Sequence, residues 1–158
     1  AVEVAYRLAE YRGHKPIKVE AKPSFGNILV WKTVYSTDSS FYVDAVRVWW
    51  GKEMLYEGER IAKLSIKRDF AWLESHTQQS KDVERFRWFS NGYVAADPSS
   101  KNKVIDVRYS HIPNEVDALW GVSLNEDAMS HEHVKYWTSR NLTDEKKSRF
   151  WAMIMGND

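Results

Sequence analysis

The sequence predicts an α+β fold, in which an antiparallel sheet of five or six strands carries helices on one face and at both termini. Two observations lead to this fold class. Segments 17–50 and 93–124 are rich in β-branched and aromatic residues, partly alternate with a period of two, and are divided by polar turns. Segments 1–12 and 143–155 instead place apolar residues three and four positions apart, as amphipathic helices do.

Composition indicates one soluble globular domain over residues 1–158, with 43% apolar and 28% charged residues. The net charge of +1 argues against a nucleic-acid partner, because dedicated binders carry a clear basic excess. The absence of Cys excludes disulfides, Cys-ligated zinc, iron–sulfur clusters and a cysteine nucleophile. No apolar run approaches the roughly 18 residues of a membrane-spanning helix.

The first half of the chain predicts one helix followed by strands. Residues 1–12 form the helix, and Gly13 ends it. Three strands follow, over residues 17–22, 28–36 and 41–50. The polar turn at 37–40 joins the last two strands into a hairpin. The segment between Gly51 and Gly58 shows no clear periodicity.

The second half predicts helices, a hairpin and a helical tail. Within residues 67–89, Ser80 is the predicted N-cap of a helix whose apolar stripe is Val83, Phe86 and Phe89. Strands are expected over residues 93–96, 103–111 and 119–124. The tail predicts helices over residues 131–139 and 144–155, the second capped by Thr143 and burying Phe150, Trp151 and Ile154.

Asp106 and Arg108 share one face of a predicted strand, with Tyr109 and His111 close by. A carboxylate beside a guanidinium suits an acidic or phosphate-bearing substrate, so these four residues are the candidate site of a stand-alone enzyme. The alternative is an ion pair on the half-exposed face of a sheet. The alternation of the segment favours the ion pair, since Ile105 and its i+2 neighbours occupy the opposite face.

His131 and His133 are the candidate metal ligands. On a strand, two histidines at i and i+2 share a face and can chelate a metal. On the helix predicted here they point apart, which favours two surface histidines. The H-E-x-x-H motif of helical zinc sites is absent.

Eight tryptophans are spread over almost every predicted element, so most, including Trp31, Trp88 and Trp120, are expected in the core. Trp49 and Trp50 are the exception, because neighbours on a strand face opposite ways. This pair is the candidate binding surface, covered in the whole protein by a helix or a membrane. A small-ligand or peptide-binding module remains a further alternative and predicts a large pocket lined by Trp and Tyr.

Three stretches resemble those of a known family. They are Lys22–Trp31 (KPSFGNILVW), Phe86–Tyr93 (FRWFSNGY), and Asp106–Tyr109 (DVRY) followed by Leu119–Val122. In this order and spacing they are similar to predicted membrane-bound metal-dependent hydrolases of bacteria, also described as inner-membrane-associated, LexA-linked hydrolases. The resemblance covers residues 16–124.

The resemblance implies that this chain is the soluble C-terminal part of such a protein, placed at the bacterial inner membrane. In the family, several membrane helices come first and carry an H-R-x-x-T-H-S-type motif, which has no counterpart here. No cofactor is therefore expected in this fragment, whereas a divalent metal is expected in the full-length protein. The chain begins at Ala1, so we expect helix 1–13 to continue a membrane span.

The resemblance also indicates partners and a function. The partners are the protein's own transmembrane region and a membrane surface. Basic residues near the proposed membrane exit favour the cytoplasmic face; they are Arg7, Arg12, Lys15, Lys18 and Lys22. We therefore predict an extramembrane domain of a membrane-bound metal-dependent hydrolase that is accessory rather than catalytic.

Overall fold

A computed structural model of the chain describes residues 1–140 and 142–157. Within this part the fold is α+β, with two four-stranded antiparallel sheets and four helices. The first sheet contains β1 (Lys18–Pro23), β2 (Val30–Ser36), β3 (Ser40–Trp49) and β4 (Lys52–Ala62), in that spatial order. The second contains β5 (Val94–Ala96), β6 (Lys103–Asp106), β7 (Trp120–Ser123) and β8 (Lys135–Thr138), also in order. The helices are α1 (Val2–Tyr11), α2 (Ile66–Asp69), α3 (Gln78–Phe89) and α4 (Asp144–Met155).

The α+β class and the antiparallel pairing are confirmed, but a single sheet of five or six strands is wrong. Two unpredicted edge strands, β4 and β8, account for the difference in the number of strands. The segment between Gly51 and Gly58 belongs to β4, whose mostly exposed side chains give no apolar face for a periodicity to reveal. Residues 131–139 form no helix, because 135–138 pair with β7 as strand β8.

The two sheets face each other, and α1 and α3 cover their outer faces. Val34, Phe41 and Val43 of the first sheet form one buried cluster with Tyr93 and Ile105 of the second region. α1 contacts β1 and β2 through its buried face. On the second sheet, α3 buries its own side chains together with residues of three strands; they are Val83 and Phe86 with Val94, Val104 and Val122. A third cluster places Met153 of α4 against β2 and β3.

Asp44 fastens α1 to the middle of the first sheet. The pairing of β3 with β4 shifts between Val43 and Ala45, which marks a bulge in β4, where Glu57 and Gly58 lie opposite Asp44. The Asp44 carboxylate accepts the Gly58 N–H at 3.0 Å and both terminal nitrogens of Arg12 at 2.8 and 2.9 Å. Its hydrogen bonds raise the pKa of Arg12 above its ordinary value. A bidentate pair of this kind fixes direction as well as contact, so it orients α1 on the sheet.

The predicted ends of α4 are confirmed, whereas the predicted start of α3 is wrong. Thr143 caps α4 by accepting the Lys146 N–H at 3.3 Å, and Gly156 ends it with φ of 77°. α3 is capped by Thr77, which accepts the N–H of Ser80 at 3.3 Å. The predicted cap therefore lies inside the first turn.

Three aromatic side chains predicted as core are exposed instead; they are Trp88, Phe89 and Trp151. Phe89 continues the spacing of the buried face of α3, yet it lines an open groove rather than the core. In α4 the fully buried position is Met153, and Phe150 and Ile154 are half-buried. The spacing of apolar residues identifies a helix face but not the extent of the surface beneath it.

Gly58 is required by a close approach of two backbones. A Cβ at this position would overlap the carbonyl oxygens of Val43 and Asn114. We expect Gly58→Ala to lower the free energy of unfolding by about 3 kcal/mol, measured by chemical denaturation. Gly51→Ala is the control, because a Cβ there meets nothing within 4 Å and only the positive φ opposes it. That variant should lose about 1 kcal/mol, and equal losses would contradict the role of Gly58.

Candidate functional site

Asp106 and Arg108 form a buried ion pair at the end of β6. Nη2 of Arg108 lies 2.7 Å from Oδ2 of Asp106, and Nε lies 3.0 Å from Oδ1. The Arg108 backbone N–H also donates to Oδ1, at 3.1 Å. Asp106 is 0% exposed and Arg108 is 9% exposed. The pairing agrees with the ion-pair alternative, but its expected half-exposed position is wrong, because both side chains are buried.

The free end of the Arg108 guanidinium faces a small group of polar side chains. Its Nη1 lies 4.0 Å from Oε2 of Glu20, and its carbon lies 5.8 Å from the Tyr93 ring centroid. Oε2 of Glu20 also lies 3.4 Å from the Lys22 ammonium. Burial raises the pKa of Tyr93 well above its ordinary value.

Tyr109 and His111 lie on the chain directly after this pair. The Tyr109 ring packs on Trp120, with ring centroids 4.4 Å apart. His111 and Trp120 line a groove of about 440 Å³, where Nε2 of His111 lies 3.5 Å from the Ser139 hydroxyl. Neither Asp106 nor Arg108 lines that groove. The structure therefore separates the acid and the guanidinium from the imidazole of the predicted site.

His131 and His133 precede β8 instead of lying on a helix. The Nδ1 atom of His133 lies 2.8 Å from Oδ2 of Asp82, a buried residue of α3. Burial by itself would raise the pKa of Asp82, but hydrogen bonds from Gln78 and His133 outweigh it and lower that pKa. His131 is exposed in a turn. Within residues 1–140 and 142–157, no three His, Asp or Glu side chains are grouped as a metal site.

Trp49 and Trp50 form the exposed tip of the β3–β4 hairpin. Trp50 is 86% exposed and Trp49 is 46% exposed, with their rings perpendicular and their centroids 6.0 Å apart. The two-residue loop has φ of 46° at Trp50 and 76° at Gly51, which is the pattern of a type I′ turn. Asn or Gly is preferred at the first position, so Trp50 occupies a strained backbone.

A second exposed aromatic surface lies between α3 and the edge strand β8. This α3–β8 groove has a volume of about 590 Å³. Its lining is largely apolar and consists of Asp82, Arg85, Phe86, Trp88, Phe89, Val122, His133, Val134 and Tyr136. Sequence reasoning missed it because β8 was predicted as a helix. The residue types of Lys135–Thr138 nevertheless favour a strand, because this run contains two aromatic residues and a β-branched one.

Lys32 is a buried lysine that the sequence alone does not single out. Its ammonium donates to the Ser110 hydroxyl at 2.7 Å and to the Glu115 carbonyl at 2.6 Å. Burial lowers the pKa of Lys32 to about 7. The sequence nevertheless indicates its burial, because Lys32 lies two positions from both Val30 and Val34 and so shares an apolar face of β2 with them.

A serine beside a lysine resembles the pair used by some Ser–Lys hydrolases. Here the Ser110 hydroxyl donates to the Ile112 carbonyl at 2.6 Å, and the Lys32 amine donates to Ser110. A general base would instead accept the serine proton. The serine proton is thus directed at a carbonyl, so the arrangement satisfies a buried amine and does not activate a nucleophile.

Comparison of the chain with protein-family models found no match, and comparisons with curated proteins and with solved structures found none either. The resemblance to membrane-bound hydrolases therefore remains a prediction. In the part of the chain that the structure describes, no helix is both long and apolar enough to span a membrane.

Lys32 predicts a specific pH dependence of stability. Its pKa is 10.5 ordinarily and about 7 in the fold. Between these values the unfolded chain holds a proton that the folded chain lacks, so the free energy of unfolding rises with pH. The slope from this group is at most about 1.4 kcal/mol per pH unit. Denaturation from pH 7 to pH 10 should show this slope in the wild-type protein and its loss in Lys32→Met.

The matched control changes the exposed Lys15 to Met. This variant should keep the wild-type slope, because it leaves Lys32 in place. Parallel curves for the wild type and Lys32→Met would show that the buried amine does not titrate in this range.

Proposed function

We propose that the chain is an extramembrane accessory domain of a membrane-bound, hydrolase-like protein of the bacterial inner membrane, and that it contacts the membrane surface through Trp49 and Trp50. The observation that carries this proposal is the exposed tryptophan pair at the tip of the β3–β4 hairpin. Tryptophan favours the headgroup level of a bilayer, where its apolar ring is buried and its N–H stays hydrated.

The shape and the backbone of the tip favour a lipid surface over a protein pocket. A two-residue turn is convex, and a deformable surface can admit a convex tip without a matching cavity. Trp50 stands at φ of 46°, where a bulky side chain costs roughly 1–2 kcal/mol relative to a favoured turn residue. Strain of this kind is typical of positions that serve function rather than stability.

Neighbouring groups at the same end of the first sheet also suit a tip that faces the membrane. Val48, next to the tip, shares a groove with the N-terminal end of α1 and with the exposed Ile28. The Val48 N–H donates to the Leu29 carbonyl at 2.8 Å, which ties the β1–β2 loop to the hairpin. A membrane span before α1, as the resemblance implies, would hold this end at the bilayer. Arg47 and Lys52 flank the tip and would attract anionic headgroups.

The accessory role, rather than a catalytic one, is supported by the contacts of the polar side chains. Asp106 is held by Arg108, and Asp82 is held by His133. Ser110 and Lys32 satisfy each other and two carbonyls. In each case the groups that could do chemistry are committed to structural hydrogen bonds.

Trp50→Asn should weaken membrane binding and stabilise the fold at the same time. Cosedimentation with vesicles of phosphatidylcholine and phosphatidylglycerol should show about a tenfold loss of affinity, which corresponds to about 1.4 kcal/mol. The same variant should unfold at a higher temperature, because Asn-Gly is the preferred type I′ turn. A purely structural tip would not couple these two changes in opposite directions.

The control is Trp88→Ala, which removes an exposed tryptophan from α3, away from the tip. Vesicle binding of this variant should equal that of the wild type. Equal losses in both variants, or no binding by the wild type, would overturn the membrane contact. Metal-dependent hydrolysis by this chain alone, compared with the full-length protein, would overturn the accessory role.

A further inference from the structure

We propose that the α3–β8 groove binds an extended peptide, which adds as a strand to the outer edge of β8 and places apolar side chains against Trp88, Phe89 and Tyr136. This site is separate from the tryptophan tip, and it does not depend on contact with a membrane. Strand addition of this kind combines main-chain hydrogen bonds, which supply affinity, with a side-chain groove, which supplies specificity.

Within residues 1–140 and 142–157, no strand pairs with the outer edge of β8. β8 is the last strand of its sheet, and it pairs with β7 alone. The Ser139 N–H donates to the Leu119 carbonyl at 2.7 Å, so it points towards the β7 side of the strand. Because groups alternate in an antiparallel pair, the main-chain groups of Tyr136 and Thr138 point to the outer edge.

A side chain of α3 already occupies the next position of that edge. The outward N–H of Val134 donates to the Asp82 carboxylate at 3.2 Å. This contact occupies the first outward N–H at the start of β8. The main-chain groups of Tyr136 and Thr138 are the next two outward positions.

The groove lies on the side of β8 to which alternate side chains of an added strand would project. Val122 and Phe86 form its buried base, while Trp88, Phe89 and Tyr136 stand exposed along it. Its volume of about 590 Å³ falls within the range of small-ligand pockets. In an extended peptide, side chains on one face repeat about every 7 Å, so one or two apolar side chains can enter together.

Charge determines which peptide fits. Arg85 lines the groove with its side chain 74% exposed, and its Nη1 lies 4.0 Å from Oδ1 of Asp82. The buried Asp82 carboxylate is also engaged by His133, Gln78 and the Val134 N–H. The exposed charge of the groove is therefore the Arg85 guanidinium, and it complements a peptide that carries Asp or Glu beside its apolar residues.

The experiment selects ligands from a random peptide library displayed on phage, with the whole chain as bait. Selected sequences are synthesised and titrated by isothermal calorimetry. We expect apolar residues at alternate positions together with an acidic residue. On binding, hydrogen exchange should slow at the Tyr136 and Thr138 amides. Failure to select any peptide, or unchanged exchange at these two amides, would overturn the proposal.

Thr138→Pro tests the edge directly. Proline removes the outward N–H of residue 138 and leaves the bonds to β7 intact, which an edge strand tolerates. We expect at least a tenfold loss of peptide affinity. Thr138→Ala is the matched control, because it removes the side chain but keeps the N–H, and its affinity should stay within about twofold of the wild type. The same effect in both variants would contradict strand addition.

Two further variants separate the outcomes. Trp88→Ala, at an exposed helical position, should weaken the selected peptides without lowering the melting temperature, whereas Trp50→Asn should leave their binding unchanged. Sedimentation of the free chain tests the alternative occupant. A dimer that Thr138→Pro abolishes would assign the edge to a second copy and overturn the proposal. Loss of vesicle binding with intact peptide binding would concern the membrane contact alone.

Discussion

The buried carboxylate of Asp44 is the contact on which the arrangement of the first sheet depends. It receives the guanidinium of Arg12, which seats α1, and the N–H of Gly58, which shapes the bulge. A carboxylate that is 2% exposed is stable only when its oxygens are satisfied, so removing either partner would leave a buried charge exposed to a large desolvation cost. The bulge in turn directs the β3–β4 hairpin that ends in Trp49 and Trp50.

The two sheets are joined by apolar packing and by a polar seam. Gly58 lets the Asn114 backbone approach β4, and Asn114 donates to the Glu57 carbonyl at 2.9 Å. The next residue, Glu115, offers its carbonyl to Lys32. Replacing a buried polar pair by apolar groups is often neutral or stabilising, so such a pair contributes more to the specific arrangement of segments than to stability. Here the contacts of the Lys32 amine with Ser110 and Glu115 specify how the segment before β7 lies on β2.

The sequence predicts the local structure well and the division into sheets poorly. The β2–β3 hairpin follows from β-branched residues around a polar turn, and α4 follows from Thr143 and Gly156. β4 could not be recognised, because an exposed edge strand needs no apolar alternation. The same holds for the site. A Trp-Gly turn signals exposure locally, whereas the burial of Lys32 depends on cross-sheet partners that no local pattern contains.

The position of α4 has a consequence for the order in which the chain folds and opens. The first sheet is assembled from consecutive hairpins, which close short loops. α4 is attached across 107 residues, where Arg47 donates to the Ile154 carbonyl at 2.8 Å. Closing a loop of this length costs more chain entropy than closing a hairpin. We therefore expect the tail to dock last and to detach first, so that the cluster around Met153 is the earliest part of the core to meet water.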